Sequence, residues 1–295
     1  MTVETRSPHP NAERLSEAAP RLQSGSADLQ FLSRHGRTFL ARQRLGYPFH
    51  VTRVFHLDSA PAEMATLYLQ SLSGGLFRGD RLTIDCAVGE GAAAHVTTQA
   101  ATKVHSMVEG RAEQQTTLTV AEGAILEWIA DPLILFPDAE IETETKATMP
   151  ETATLVLGES YLAHDPAGDR RPFRRLGVQT TIARPDGTPL LHDRLDIDGT
   201  TFLGGFPGIT GPHAVQGTVF VLSPLATSDA LVATMRQALE GRTGVYAGAS
   251  ALPRGIGAWS RILAEDGALF RAAYTAVWSA VRCALTGVTP PIRRK

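Results

Sequence analysis

Val88-Gly89-Glu90-Gly91-Ala92, Val120-Ala121-Glu122-Gly123-Ala124 and Met149-Pro150-Glu151-Thr152-Ala153 are one phrase written three times, roughly 30 residues apart. Each copy opens on an apolar residue, carries Glu at its third position and closes on Ala. Strand-like runs precede the copies (residues 82–87, 115–119 and 142–148), and others follow them (95–98, 125–129 and 155–157). A unit of strand, tight turn and strand cannot bury its apolar face alone. Three of them in succession predict β rungs stacked on one another, so the expected class is mainly β, in stacked β-helix-like layers. Counting onward from the first residue of each phrase makes Thr98-Gln99, Ala130-Asp131 and Glu159-Ser160 equivalent. If the rungs stack in register these residues converge, because the strand period fixes which face each occupies. Two outcomes stay open: a polar lane along the stack, or turn residues at strand ends that face water.

Upstream of the repeat, Ser73-Gly74-Gly75-Leu76-Phe77-Arg78-Gly79-Asp80 has three glycines within six residues and closes on a carboxylate. This is a shaped loop whose glycines permit positive φ and close backbone approach. Downstream, Pro185-Asp186-Gly187 between apolar runs predicts a hairpin, and Gly204-Gly205-Phe206-Pro207-Gly208 a turn-rich loop. The period then changes. Leu231, Met235 and Leu239 form a helical stripe capped by Ser228 and ended by Gly241. A second stripe from Leu269 and Phe270 through Tyr274, Trp278 and Leu285 opens at Asp266 and stops at Gly287. Two C-terminal α-helices are therefore expected to close an end or a face of the stack. Residues 1–28, rich in Pro, Ser, Glu and Arg, read as a disordered N-terminal tail without a secretory apolar core, leaving 29–295 as a single β-rich domain.

The 295 residues are 43% apolar and 20% charged, with a formal net charge of −2. They include no basic stripe of the kind that nucleic acid or a membrane surface demands, so neither partner is expected. No run reaches the roughly 18 to 20 apolar residues of a membrane span. Cys86 in an alternating strand and Cys283 on an apolar helix both read as reduced core thiols, which fits a cytoplasmic location. There is no Gly-x-x-x-x-Gly-Lys-Ser/Thr phosphate loop, no Gly-x-Ser-x-Gly elbow and no His-Glu-x-x-His helix. The nine histidines are scattered, so a tight metal site is not expected. The better candidates are carboxylates for transient contact: Asp80, Glu127, Asp131, Glu159 and Asp169. Borderline divalent ions bind such oxygens more loosely than thiolate or clustered imidazole. Glu127 and Asp131 also leave open a carbohydrate-active β-helix enzyme with paired carboxylates. Nickel storage is a third reading, which the scattered histidines disfavour.

The glycine loop ending at Asp80, the segment Thr97-Thr98-Gln99-Ala100-Ala101-Thr102-Lys103, Leu126-Glu127-Trp128 with Phe136, Gly168-Asp169-Arg170 before Arg174-Arg175-Leu176, and Tyr246-Ala247-Gly248-Ala249-Ser250 occur in this order. In that order and spacing the chain resembles the UreD (also called UreH) family of urease accessory proteins. It departs from the family pattern at Ser73, where proline is usual, at Asp131-Pro132, where glutamine and an acid are common, and at Asp169, where glutamate is usual. The resemblance implies a β-helix-like stack with two helices, and an accessory chaperone rather than an enzyme. It further implies binding to UreF, UreG and apo-urease, and help in inserting nickel and a lysine carbamate into the urease active site. GTP hydrolysis would fall to UreG, no cofactor would be tightly bound, and nickel would be in transit. A homodimer held through the UreF–UreG assembly is left open. The implied mechanism is a water-filled passage, with Asp80, Asp131 and Asp169 as transient nickel contacts. Gly74, Gly75, Gly79, Lys103, Glu127 and Glu159 are the other passage or loop positions.

Overall fold

The computed structural model of the chain describes residues 24–58 and 64–291. β1 (Ser24–Arg34) and β2 (Arg37–Leu45) form an antiparallel hairpin, followed by β3 (Phe49–His50) and β4 (Ala65–Ser71). The repeat then builds three rungs. β5 (Arg81–Val88), β6 (Ala93–Thr98) and β7 (Thr102–Val104) make the first; β8 (Ala112–Val120), β9 (Ile125–Ile129) and β10 (Leu133–Leu135) the second; β11 (Glu140–Thr148) and the long β12 (Thr154–Ala163) the third. Each quoted phrase is the corner between the first and second strands of its rung.

The rungs stack in parallel on three faces. Val88 lies beside Val120, and Thr119 beside Thr148, in the first face. Ile125 sits between Ala93 and Thr154 in the second, and Leu133 between Thr102 and Tyr161 in the third. The corners stack too: Ala121 N–H donates to Val88 O at 2.9 Å, and Gly91 N–H to Glu122 O at 3.0 Å. Ala92, Ala124 and Ala153 are wholly buried there. A close-packed interior explains the recurring alanine, since a larger side chain at each stacked corner would have to displace its neighbours.

β13 (Arg175–Ala183) extends the first sheet in parallel, and β14 (Pro189–Asp198) returns antiparallel through the expected Asp186-Gly187 turn, where Gly187 has φ 88°. After α1 (Gly199–Leu203) come β15 (Val215–Leu222), α2 (Ser228–Leu239), β16 (Val245–Ala251), β17 (Gly257–Ala264) and α3 (Gly267–Thr286). The two large sheets run β14-β13-β11-β8-β5-β1-β2 and β16-β17-β15-β12-β9-β6-β4-β3. One core lies between them and a second between the outer face of the second sheet and α2 and α3. Period-2 alternation divides each strand between the two: Leu155 and Leu157 join the inter-sheet core, Val156 the helix-side core.

The mainly β, solenoid-like stack with two C-terminal helices is as expected; the short α1 was not foreseen. Three readings are corrected. Residues 24–28 are strand, not tail: Ser24 pairs with Arg81 and Asp28 with Asp85, and the buried alternation Ala27, Leu29, Phe31 ties the strand down. Residues 1–23 lie outside the described residues. The N-cap of α2 is Thr227, whose hydroxyl accepts from Ala230 N–H, while Ser228 accepts from Gly257 N–H at 3.1 Å. Cys283 is exposed because it falls off the α3 stripe, whereas Cys86 is buried, its thiol pushed up to about 12 by burial. Asp266 does cap α3, accepting from Ala268 and Leu269 N–H at 2.8 Å, and Gly287 ends it at φ 74°. No described helix is long and apolar enough to cross a membrane.

Candidate functional site

The second corner of the coil, where each rung turns toward its third face, carries the polar positions singled out by the repeat. Thr97 pairs with Ile129 and Ile129 with Gly158, so the next residues, Thr98, Ala130 and Glu159, align across the rungs. The hydroxyl of Thr98 accepts Asp131 N–H at 2.8 Å and donates to the Asp131 carboxylate at 3.2 Å. Pro132 holds the preceding residue extended and offers its carbonyl to Thr102 N–H at 3.1 Å, which stacks one corner on the next. All six residues of the predicted lane, Thr98, Gln99, Ala130, Asp131, Glu159 and Ser160, line one cavity of about 360 Å³. Gln99 is exposed, Thr98, Ala130, Asp131 and Glu159 are half-buried and Ser160 is buried, so the lane runs from the surface into the molecule.

The opposite wall comes from the first sheet, which turns Gln114, Thr116, Thr143 and Thr145 inward. At these positions β8 and β11 break the apolar inner column that continues below them as Leu118, Ala147 and Met149. Glu159 forms the floor. Thr145 and Thr180 each donate a hydroxyl to it at 2.8 Å, one to each oxygen. Burial pushes its carboxyl above the ordinary value; the threonine hydroxyls work against that shift and the Asp193 charge adds to it. The buried hydroxyl of Ser160, in the helix-facing phase of Val156 and Gly158, has no hydrogen-bond partner among the described residues.

The glycine loop borders the mouth. Leu76 bridges to Val104 in parallel, with Leu76 N–H donating to Lys103 O at 2.7 Å and His105 N–H to Leu76 O at 2.9 Å. Gly75, at φ 145°, has no room for a Cβ: one placed there would stand 2.6 Å from Lys103 O. Gly74, Gly75 and the exposed Lys103 lie in the lining. Asp80 does not. It is buried, accepts Phe77 N–H at 2.8 Å and so closes the loop whose turn Gly79 makes at φ 80°. Asp169 is exposed on the loop after β12 and also lies outside the lining. Of the three aspartates expected along a passage, the cavity therefore gathers Asp131 alone, and adds Glu159.

Glu127 belongs elsewhere. Trp128 lines the cavity, so alternation sends its neighbour to the helix side, where Glu127 is buried against α3. Arg282 makes two hydrogen bonds to the Glu127 carboxylate, Trp278 Nε1–H donates to it at 2.8 Å, and His95 Nδ1 lies 2.7 Å away. Arg282 also donates to Asp58 at 2.7 Å. Burial pushes Glu127 up, but Arg282 and His95 outweigh it and hold the carboxyl well below the usual range. Glu127 and Asp131 thus do not share a cleft and do not form the carboxylate pair that the sequence left open. Arg282 was missed by sequence reasoning although it lies one helical turn beyond Trp278, on the buried stripe. The inward threonines were missed although they keep the strand phase of the apolar residues beside them. Among the described residues, no three His, Cys, Asp or Glu side chains are grouped to hold a metal ion.

A family profile described as UreD urease accessory protein matches residues 23–295. The chain belongs to the UreD family. It is 42% identical over 280 residues to urease accessory protein UreD 1 of Methylorubrum populi, covering 94% of each chain. It is 44% identical over 266 residues to UreD 1 of Methylorubrum extorquens, covering 89% of each, and 42% identical to UreD 3 of a Bradyrhizobium strain, covering 88% of this chain and 91% of that one. The UreD motifs quoted above divide between the two cores. The glycine loop and residues 97–103 border the cavity, Leu126-Glu127-Trp128 straddles both cores, and Tyr246-Ala247-Gly248-Ala249-Ser250 runs along the edge strand β16.

Proposed function

We propose that this UreD-family chain is a scaffold and nickel conduit in urease maturation, working with UreF and the GTPase UreG to load apo-urease. The observation that carries the reading is the internal chamber floored by Glu159 and walled by Asp131 and threonine hydroxyls, in a chain of a urease accessory family. Its donors are hydroxyl, amide and carboxylate oxygens. These can exchange with the water shell of a borderline ion one ligand at a time without the tight grip of thiolates or clustered imidazoles. In this reading the chain's residues orient and pass on the cargo and do no covalent chemistry. Asp131 meets the ion near the corner, the hydroxyls of Thr98, Thr116 and Thr145 keep it partly hydrated, and Glu159 supplies the inner charge.

Reconstitution tests it. Apo-urease, UreF, UreG, GTP, bicarbonate and nickel are combined with and without this chain, and bound nickel is measured on the reisolated urease. The expected result is nickel-poor urease when the chain is omitted; full loading without it at the same nickel concentration would remove the function.

A further inference from the structure

The chamber ends at Glu159, but the polar rows that build it do not. In the second sheet, strand pairing carries the inner row from Thr98, Ala130 and Glu159 onward to Thr218 and Arg261. In the first sheet, the facing row runs Ile84, Thr116, Thr145, Thr180 and Asp193. The last members meet: Arg261 Nη2 donates to both oxygens of Asp193, at 2.9 and 3.2 Å. That ion pair bridges the two sheets between β14 and β17, with side chains 37% and 31% exposed, so its far side is in solvent. Thr180 and Thr218, the residues between floor and ion pair, are buried.

The bond is poorly fastened for an internal arginine. A single nitrogen serves both carboxylate oxygens, and the buried Nε has no hydrogen-bond partner among the described residues. Arg175 on the outer face of the first sheet, by contrast, sends Nε and Nη2 to separate oxygens of Asp196 and Nη1 to Glu142. A fork of parallel bonds resists displacement better than one shared nitrogen. Arg261 also has somewhere to go, since its guanidinium already lies 5.2 Å from the Trp259 ring at the partly exposed edge.

We propose that Arg261 and Asp193 are the shutter of a second opening to the chamber, and that a divalent cation arriving at Glu159 opens it by competing with the guanidinium for the carboxylates. The chamber becomes a through-passage only when cargo is present. Glu159 and Asp193 approach each other across Thr180 with Arg261 as their shared counter-charge, and a dication can take over that role while the arginine swings to solvent. The cargo half of this inference rests on the conduit reading; the shutter itself does not.

The test uses the full chain carrying Cys283→Ser, which removes the exposed thiol, and Thr218→Cys, which places a reporter between floor and shutter. Its labelling rate with a small cationic thiosulfonate is measured with and without nickel. Arg261→Ala is expected to raise the rate about tenfold, as lowering a local opening cost by about 1.4 kcal/mol would. Nickel is expected to raise it similarly with Arg261 present, and not in Glu159→Gln. Asp193→Asn repeats the first comparison should Arg261→Ala unfold, as checked by circular dichroism. Unchanged labelling in folded Arg261→Ala or Asp193→Asn overturns the shutter, and indifference to nickel overturns its opening by cargo. Because labelling is read on the isolated chain, a shutter that fails leaves the maturation assay untouched. A urease that loads without the chain likewise leaves the labelling result standing.

Discussion

Glu127 and Glu159 sit on neighbouring strands of one sheet, the first buried and the second half-buried, and have opposite surroundings. Glu127 faces α3 and is saturated by a guanidinium, an indole and an imidazole. Glu159 faces the coil interior and receives only threonine hydroxyls on the edge of a cavity. The same carboxylate is therefore a rivet on one side of the sheet and an available donor on the other. The partner set separates them as well as the depth of burial. A charge already paired in a dry core has nothing left to offer a passing ion, whereas one held by neutral donors keeps most of its field.

The largest effect should come from breaking the rivet. Arg282→Met fills the space but leaves Glu127 and Asp58 buried without their cation, and is expected to cost about 3–5 kcal/mol in urea unfolding. A loss under about 1 kcal/mol would mean the two sides of the sheet are alike after all. Next comes Gly158→Ala, on the strand of Glu159 but turned toward the helices. A Cβ there would stand 1.8 Å from Tyr274 Oη, so the Tyr274 ring or α3 must shift, at an expected cost of about 1–3 kcal/mol. The midpoint of thermal or urea unfolding checks it.

The stack itself was legible because its signal is local and repeated. Three phrases at one spacing fix both the corners and the register, and register alone brings Thr98, Asp131 and Glu159 to one cavity. Asp80 and Asp169 were harder. Their motifs mark them as special, but whether a carboxylate closes a loop or faces a chamber depends on which backbone N–H groups fold back to it, and Asp80 turns out to hold Phe77. The Arg282 network and the Arg261–Asp193 pair join residues 155 and 68 positions apart, a distance at which no periodic pattern reports a contact.

Smaller, and more discriminating, is the pH dependence. Glu127 is held below its ordinary value of 4.5, so the unfolded chain binds more protons in that range. Its contribution is present above about 4.5 and drains away as pH falls. Glu159 is held above 4.5, so the folded chain binds more protons there. Its contribution is full below about 4.5 and is lost as pH rises through the folded value. Glu159→Gln keeps one threonine hydroxyl donating to the amide oxygen and reverses the other contact, the amide N–H donating to that hydroxyl, and should change stability at neutral pH by no more than about 1 kcal/mol, in the stabilising direction. It should also flatten the decline on the alkaline side. Glu127→Gln should instead weaken the chain at neutral pH and flatten the loss on the acid side. Urea midpoints recorded from pH 4 upward separate the two, and parallel curves would erase the distinction.

The smallest expected effect is none at all, and it bears most directly on the route. Asp131 and Asp169 are both single carboxylates on loops that follow a strand of the second sheet. Only Asp131 is in the chamber; Asp169 is exposed. If cargo crosses the interior, Asp131→Asn removes a donor on its path and should slow nickel loading of urease several-fold, while Asp169→Asn should leave both loading and unfolding midpoint at the unsubstituted values. If cargo instead travels over the outer surface, the order reverses, because a solvated carboxylate then meets the ion first and a corner residue bonded to Thr98 never does. Equal losses would point to neither route but to a docking face shared by both loops. That outcome would show as weaker co-purification with the assembled partners rather than slower transfer within them.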